Sequence, residues 1–347
     1  MTGGAAAEAL PPIGWAQAYR LRLKRRQLLL KALRARRRLQ PLQDRTAAIR
    51  PGAVLGFTVL RNEALRLPFF LDHYRALGVD HFLVADNGSD DGSADYLAAQ
   101  PDVSLWQTGD SYLESRFGLD WLGWLLMRYG HGHWCLTADA DELLVYNGHR
   151  QHGLRALTGW LEAQGRAGFG ALMLDLYPED HLGTQAYAAG QDPLEVIPWF
   201  DAGPYRSLRQ HPRGNLWVQG GARERMFFAD CPERSPTLNK LPLMKWNRRW
   251  AYTNSTHALL PRGLNGLYSG PGGAEPSGVL LHTKFLPEIV SKSEIEKQRG
   301  QHFTDPQAFD GYYDSLTAAP RLCHADAQLY TGTGQLESLG LMTPLPW

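Results

Sequence analysis

His133-Trp134-Cys135-Leu136-Thr137-Ala138-Asp139-Ala140-Asp141-Glu142 is the stretch on which the reading of this chain turns. The apolar run Trp134 to Ala138 predicts a short buried strand, and it stops at three carboxylates within four residues. Side chains alternate along an extended chain, so Asp139 and Asp141 fall on one side and can face a common point. Two carboxylates converging at a strand end repel unless a cation neutralises them. Mg²⁺ and Mn²⁺ take oxygen ligands of this kind, often one or two carboxylates together with phosphate oxygens of a substrate. The stretch therefore points to a metal–diphosphate site. The plain alternative is a strand running into an acidic surface turn, since an Asp-x-Asp triplet alone is a weak signal.

The preceding residues repeat the pattern. Ala53 to Leu60 predicts a strand that stops at Arg61-Asn62-Glu63. Leu65 to Leu77 has helical spacing, with Leu67, Phe70, Leu71 and Tyr74 on one face, and Gly78 closes it. His81 to Ala85 is the next strand, ending in Asp86-Asn87-Gly88-Ser89-Asp90-Asp91-Gly92-Ser93. Ser93 is placed to cap a short helix running through Leu97. Val103 to Trp106 is a third strand, and Glu114 to Tyr129 a helix dense in Trp, Leu and Phe. Strands alternating with helices imply a mostly parallel central sheet with helices on both faces. Ligands of such sheets sit beyond the carboxyl ends of the strands, where Arg61–Glu63, Asp86–Asp91 and Asp139–Glu142 all fall. That convergence favours the metal–diphosphate reading. No G-x-G-x-x-G follows the first strand and no G-K-[ST] occurs, which excludes a Rossmann dinucleotide site and a P-loop.

Charge is unevenly spread. The formal net charge is +1, yet ten Lys or Arg and no acid lie between Arg20 and Arg38, so the rest of the chain is net acidic. Residues 1–16, rich in Ala, Gly and Pro, are expected to be disordered, and Gln17 to Gln40 predicts a basic helix ended by Pro41. Leu21, Leu28, Leu29 and Leu33 form its interrupted apolar stripe. Residues 17–40 suit an anionic membrane surface or a helix packed on the body through its leucines. Nucleic acid is disfavoured, because no aromatics interleave the basic residues and no nucleic-acid module follows. Cys135, Cys231 and Cys323 form no disulfide framework, which with the lack of a signal-peptide pattern predicts a cytoplasmic protein, peripheral at the inner membrane if the basic helix binds lipid. Without an export signal, the acceptor-like triplets at Asn87 and Asn254 are coincidental. His131, His133, His149 and His152 match no zinc spacing. Trp199, Trp217 and Trp246 read as core, with an acceptor-sugar platform as the alternative. Pro261 to Gly278 reads as a mobile loop able to act as a lid. Pro287 to Arg299 reads as a charged amphipathic helix, and the chain after Gly300 as an irregular tail containing Pro306, Pro320, Pro344 and Pro346.

Taken together, these motifs resemble bacterial family 2-like glycosyltransferases of the GT-A fold, in the branch whose motif reads D-A-D-E. The resemblance rests on Thr58 to Glu63, Asp86 to Ser93 and Ala138 to Glu142. Further on it rests on Met173 to Tyr177, Gly220 to Arg225, Lys240 to Leu243 with Trp246, Ser255 to His257, and Leu281 to Lys284. It spans Ala53 to Gly300, with Thr283 standing where an aromatic residue is more usual. It implies a GT-A sheet with an acceptor-side α+β subregion. It divides the chain into a basic extension (1–50), a glycosyltransferase domain (51–300) and a tail packed on the body (301–347). It implies transfer of a sugar from a nucleotide-diphosphate donor, UDP-sugars foremost, to a glycan or lipid-linked acceptor, with inversion and with Mn²⁺ or Mg²⁺ as cofactor.

Carried over by position, Arg61, Asn62 and Glu63 would line the nucleoside pocket and Asp86 would hold the base. Asp139 would approach the ribose or the metal, Asp141 would ligate the metal, and His282 would complete the metal or diphosphate site. Arg223, Arg225, Lys240, Lys245 and Lys284 could add positive charge for the leaving diphosphate; ordinary surface charge is the alternative for all five, and for Lys240 and Lys245 above the others. An inverting transferase needs a general base. Asp175, ending the apolar strand Phe169 to Leu174, is the first candidate, Glu224 between two arginines the second, and Glu179-Asp180 the third. A carboxylate flanked by arginines has a depressed pKa, which favours an anchor over a base. Two rivals stand beside this reading: a haloacid dehalogenase-type phosphohydrolase, which also uses Asp-x-Asp after a strand, and a non-catalytic glycan- or nucleotide-binding protein.

Overall fold

Apolar runs with no polar break pair best at the centre of a sheet covered on both sides, and the central strands here are of that kind. The computed structural model describes residues 10–299 and 310–347. Its first half comprises α1 (Trp15–Ala35), β1 (Gln40–Gln43), β2 (Val54–Leu60), α2 (Leu67–Leu77), β3 (His81–Asp86), α3 (Ser93–Ala99), β4 (Val103–Gln107), α4 (Leu119–Tyr129), β5 (Trp134–Thr137) and β6 (Glu142–Val145). The second half adds α5 (Leu154–Ala163), β7 (Gly168–Tyr177), β8 (Trp199–Phe200), β9 (Tyr205–Arg209), β10 (Leu216–Gly220), α6 (Gly221–Phe227), β11 (Asn239–Lys245), β12 (Ala251–Tyr252), β13 (Leu259–Leu260) and β14 (Ser277–His282). It ends with α7 (Ile289–Arg299), α8 (Asp310–Thr317), β15 (Gln328–Leu329) and α9 (Thr333–Ser338).

The main sheet has the order β1-β4-β3-β2-β5-β11-β7-β14-β6. Strands β4, β3, β2, β5, β7 and β14 run one way, and β1, β11 and β6 run against them. The result is a mixed α/β, Rossmann-like arrangement, mostly parallel and flanked by helices. Leu55, Leu83 and Leu105, from adjacent strands, are fully buried. Each such side chain contributes about 1.5–3 kcal/mol by leaving water.

Several sequence expectations change. The helix expected from Glu114 begins only at Leu119, because Arg116, Phe117 and Gly118 have φ of 58°, 60° and 75°. Three successive left-handed residues cannot continue an α-helix, and a side chain at Gly118 would approach Val59 to 2.7 Å. Ser93 does not cap α3 but is its first residue; Gly92 holds the cap position without a side-chain bond, and Asp91 Oδ1, one residue earlier, accepts from Ser93 N at 2.9 Å. The basic helix starts at Trp15 and ends at Ala35, and Pro41 lies in edge strand β1, where a missing N–H is tolerated. The disorder expected for residues 1–16 thus fails at Trp15 and Ala16, while residues 1–9 lie outside the described residues. The lid expected between Pro261 and Gly278 is packed instead: Asn265 and Tyr268 are buried, and Asn265 bonds Leu259 N and O. Among the described residues the stretch after Gly300 holds two helices and a short strand, and Leu341, Met342 and Leu345 join the main core; Pro306 lies outside the described residues. Among the described residues no helix is long and apolar enough to cross a membrane.

Candidate functional site

Strand β5 ends at Thr137, yet β6, which begins at Glu142, lies beyond β11, β7 and β14. Ala138–Asp141 therefore crosses the carboxyl edge of the sheet as a strap. Its far end is fastened by β14: Asp141 O accepts from Thr283 N (2.7 Å) and Thr283 Oγ1 (3.0 Å). Thr283 thus holds the strap through both its backbone N–H and its hydroxyl. Tyr74 OH donates to Glu142 O at 2.8 Å, tying the strap to α2.

Below the strap, β11 slips its register against β7 between Lys240 and Leu243. A bulge re-aims side chains, and here Lys240 Nζ reaches Glu142 Oε1 at 2.8 Å and Asp139 Oδ2 at 3.1 Å. Lys240 is 2% exposed, so the surface-charge alternative is corrected for this residue; Lys245, paired with exposed Glu162 at 2.8 Å, fits it. Burial opposes the charge of Lys240, but Asp139 and Glu142 hold its pKa above the usual lysine range. Glu142 is pushed up to about 7, first by burial and then by Asp139 and Asp141, with Lys240 working the other way.

The second half of the site pairs β7 with β14, in register His282 against Asp175. His282 Nδ1 lies 2.6 Å from Asp175 Oδ1, and its Nε2 lies 3.1 Å from Asp141 Oδ2. Arg223 Nε donates to Asp175 Oδ2 at 2.7 Å. Arg223 is brought inward by the turn at Gly220 (φ 133°), where a side chain would meet Pro204 O at 2.1 Å. Arg223 Nη2 is buried with no partner among the described residues. Burial works against the His282 cation, yet Asp141 and Asp175 raise its pKa. Burial would raise Asp141 too, but His282, Arg66 and Lys284 hold it well below the usual carboxylate range. Lys284 is half-buried and forms no ion pair among the described residues.

The general-base expectation for Asp175 meets a correction. Its carboxylate is buried, both oxygens are taken, and it is held down to about 2: burial is outweighed by Arg223 and His282. No oxygen is left open to an acceptor hydroxyl. Glu224 is likewise anchored, by Arg206 and by Ser235 Oγ (2.7 Å). Arg225 points elsewhere, to Asp201 at 2.9 Å in a separate cluster with Tyr177 and His324. Glu179 and Asp180 follow β7 and are exposed.

The expected metal set Asp139, Asp141 and His282 is brought together only in part. Asp141 and His282 touch, whereas Asp139 turns to Lys240. Among the described residues no three His, Cys, Asp or Glu side chains are grouped as a metal centre. The Asp141–His282 pair does fit a cation that draws its remaining ligands from a phosphate. With Nδ1–H donated to Asp175, Nε2 faces the Asp141 carboxylate through a proton, which the raised pKa of His282 favours, or through a cation that takes its place. A carboxylate behind a ligating histidine is a recurrent outer partner in metal sites.

On the other side of the strap, Arg61 Nη1 donates to Asn87 O at 3.1 Å. Asn62, at φ 55°, exchanges two hydrogen bonds with Asp90, at 2.8 and 3.0 Å. Glu63 pairs with Arg66 (2.8 Å) and Lys292 (2.9 Å) rather than facing an open pocket. Asp86 is fully buried, accepting from Ser89 N and Oγ and from Gln107 Nε2. To meet a base it must exchange one of these partners. Strand β3 lies two ladder steps from β5, about 10 Å, so Asp86, Asp139 and Asp141 follow one another along a single edge. A cavity of about 240 Å³ lies elsewhere, between α2 and β6, lined by Phe69, His73, Leu143, Val145 and Tyr330.

Arg66 is the residue that sequence reasoning missed. It is 5% exposed and bridges Glu63 and Glu288, each at 2.8 Å. A lone cation directly before the apolar run Leu67 to Leu71 was the available signal.

No family model matches this chain, and no curated protein matches it. Among solved structures it is similar to the crystal structure of 4-diphosphocytidyl-2C-methyl-D-erythritol synthase, at 20% identity and a TM-score of 0.22. That match covers 40% of this chain and 65% of the other, so the chain spans less than two thirds of that enzyme. A likeness this distant carries no weight for function.

Proposed function

We propose that this protein is a metal-dependent glycosyltransferase that moves a sugar from a nucleotide-diphosphate donor, UDP-sugars foremost, to a glycan or lipid-linked acceptor with inversion. The observation that carries the reading is His282, held by Asp175 with Nε2 aimed at Asp141, beside the unpartnered Arg223 Nη2 and the unpaired Lys284. Mn²⁺ or Mg²⁺ bound by Asp141 and His282 would offset the charge that develops on the departing diphosphate. Arg223 and Lys284 add donors on the same side, fixed before the reaction begins. Asp175 acts through His282, fixing its tautomer and orientation. Asp86 and Asn62 mark the nucleoside end of the edge, and Glu179 and Asp180 are the open carboxylates able to take the acceptor's proton.

The phosphohydrolase rival gains one observation, a lysine beside Asp139, but that lysine is buried and shared with Glu142. Incubation with a panel of nucleotide sugars and Mn²⁺, reading nucleoside diphosphate release, separates the readings. The transferase predicts release that disappears in Asp141→Ala. Turnover of a simple phosphomonoester alone supports the hydrolase, and donor binding without turnover in the presence of acceptors supports the binding protein.

A further inference from the structure

Helix α1 is apolar on two opposite sides. One side is spent: Leu28, Ala32 and Ala35 are buried, Ala32 packs over Gly123 of α4, and Leu28 clusters with Ala251 and Leu260. The lead-in is fastened too, with Arg262 Nη2 donating to Pro11 O at 3.0 Å. The helix is therefore a fixed part of the body. On the opposite side Trp15, Tyr19, Leu23, Leu30 and Leu33 recur at helical spacing and are 84, 55, 38, 52 and 37% exposed. Arg22 and Arg26 complete the same stripe and Arg37 lies in the turn just beyond the helix, all three exposed and without an ion-pair partner among the described residues. Of the other cations here, Arg38 pairs with Asp110 at 3.0 Å and Arg36 lies over Trp124.

We propose that this outward face of α1 docks on the surface of an anionic lipid bilayer, the helix lying flat in the headgroup layer. An apolar stripe interleaved with cations and free of acids needs a partner that offers negative charge and an apolar layer together, and aromatic residues settle at that boundary. A second copy of this chain would set cations against cations. A nucleic-acid backbone would leave Leu30 and Leu33 in water. The proposal is independent of the catalytic reading, since vesicle binding requires no turnover.

The test is flotation of the full chain with vesicles of phosphatidylcholine and phosphatidylglycerol in equal parts, against phosphatidylcholine alone. Binding to the anionic vesicles only, weakened by salt, is expected. The triple variant R22Q/R26Q/R37Q should bind on the order of 100-fold more weakly, at roughly fivefold per cation. Trp15→Ser with Leu30→Ser should weaken binding while leaving the thermal midpoint in place, because these side chains are exposed. Four outcomes would overturn the proposal: no binding to anionic vesicles, equal binding to neutral ones, equal binding by the triple variant, or an α1-dependent dimer in place of vesicle binding.

Discussion

The two halves of the carboxyl edge solve the same problem in different ways. Over β3 and β2 the polar groups answer one another with hydrogen bonds: Asn62 with Asp90, Asp86 with Ser89 and Gln107, Arg61 with a carbonyl. Over β11, β7 and β14 the groups are charged and buried, and balance comes from ion pairs: Lys240 with Glu142, Asp175 with Arg223 and His282. In the first half Asn62 and Asp90 meet at the surface, so removing Asn62 leaves a partner that water can reach, while Asp86 is buried and answered by neighbouring side chains and an amide. Removing a partner from the second half leaves a charge in the interior. The difference teaches where the molecule is brittle, and it ranks the expected effects of substitution.

The largest effect falls on Lys240→Met. With Glu142 1% exposed, the substitution strands a buried carboxylate, at a cost of about 3–5 kcal/mol in urea unfolding. Adding Glu142→Gln should recover much of the loss. If the double variant is no more stable than the single one, the ion-pair account of this half is broken.

Acidification comes next. Desolvation lowers the pKa of His73 to about 4 and of His257 to about 3, with Lys240 adding to the second. An unfolded imidazole titrates near 6.5. Between those values the unfolded chain binds protons that the folded chain refuses. Stability is therefore full above pH 6.5 and falls below it, by at most about 1.4 kcal/mol per pH unit for each histidine. His282 has the opposite sign: its raised pKa contributes stability below 6.5 that is lost as pH rises through its folded value. Comparing the protein with its His73→Phe variant isolates that histidine from the opposing His282 and Glu142, and a stability difference that does not change between pH 7 and pH 5 would contradict the burial of His73.

Asp175→Asn sharpens the comparison at the site itself. It keeps the shape but removes the charge behind His282, and should weaken Mn²⁺ affinity by about 10–100-fold. The loss should be smaller for Asn62→Ala, about 1–2 kcal/mol from its exchanged hydrogen bonds and its left-handed backbone, with Asn62→Gly costing less.

The first half was legible in the sequence because its signals are local. An apolar run, a polar break and a helix with Gly78 at its end recur within thirty or so positions, as α/β units do. The second half was not, because its partners are distant in the chain: His282 meets Asp175 across 107 positions and Lys240 meets Asp139 across 101. Spacing could bring Asp141 under suspicion and the resemblance His282, but neither shows that β11 enters antiparallel between β5 and β7, or that its bulge turns Lys240 under the strap. Asp175 was misread for the same reason. A carboxylate ending an apolar strand looks available until its two partners arrive from β14 and α6. The lid expected before His282 failed because Asn265 ties the segment to Leu259 and Tyr268 packs over Gly170 of β7.

The account rests on Asp141 and His282 gripping a cation together with a diphosphate. Titration of Mn²⁺ into the protein with and without UDP, followed by electron paramagnetic resonance, addresses it directly. The account predicts Mn²⁺ binding that tightens when UDP is present and is lost in His282→Ala. Undiminished UDP-dependent binding in His282→Ala would contradict it.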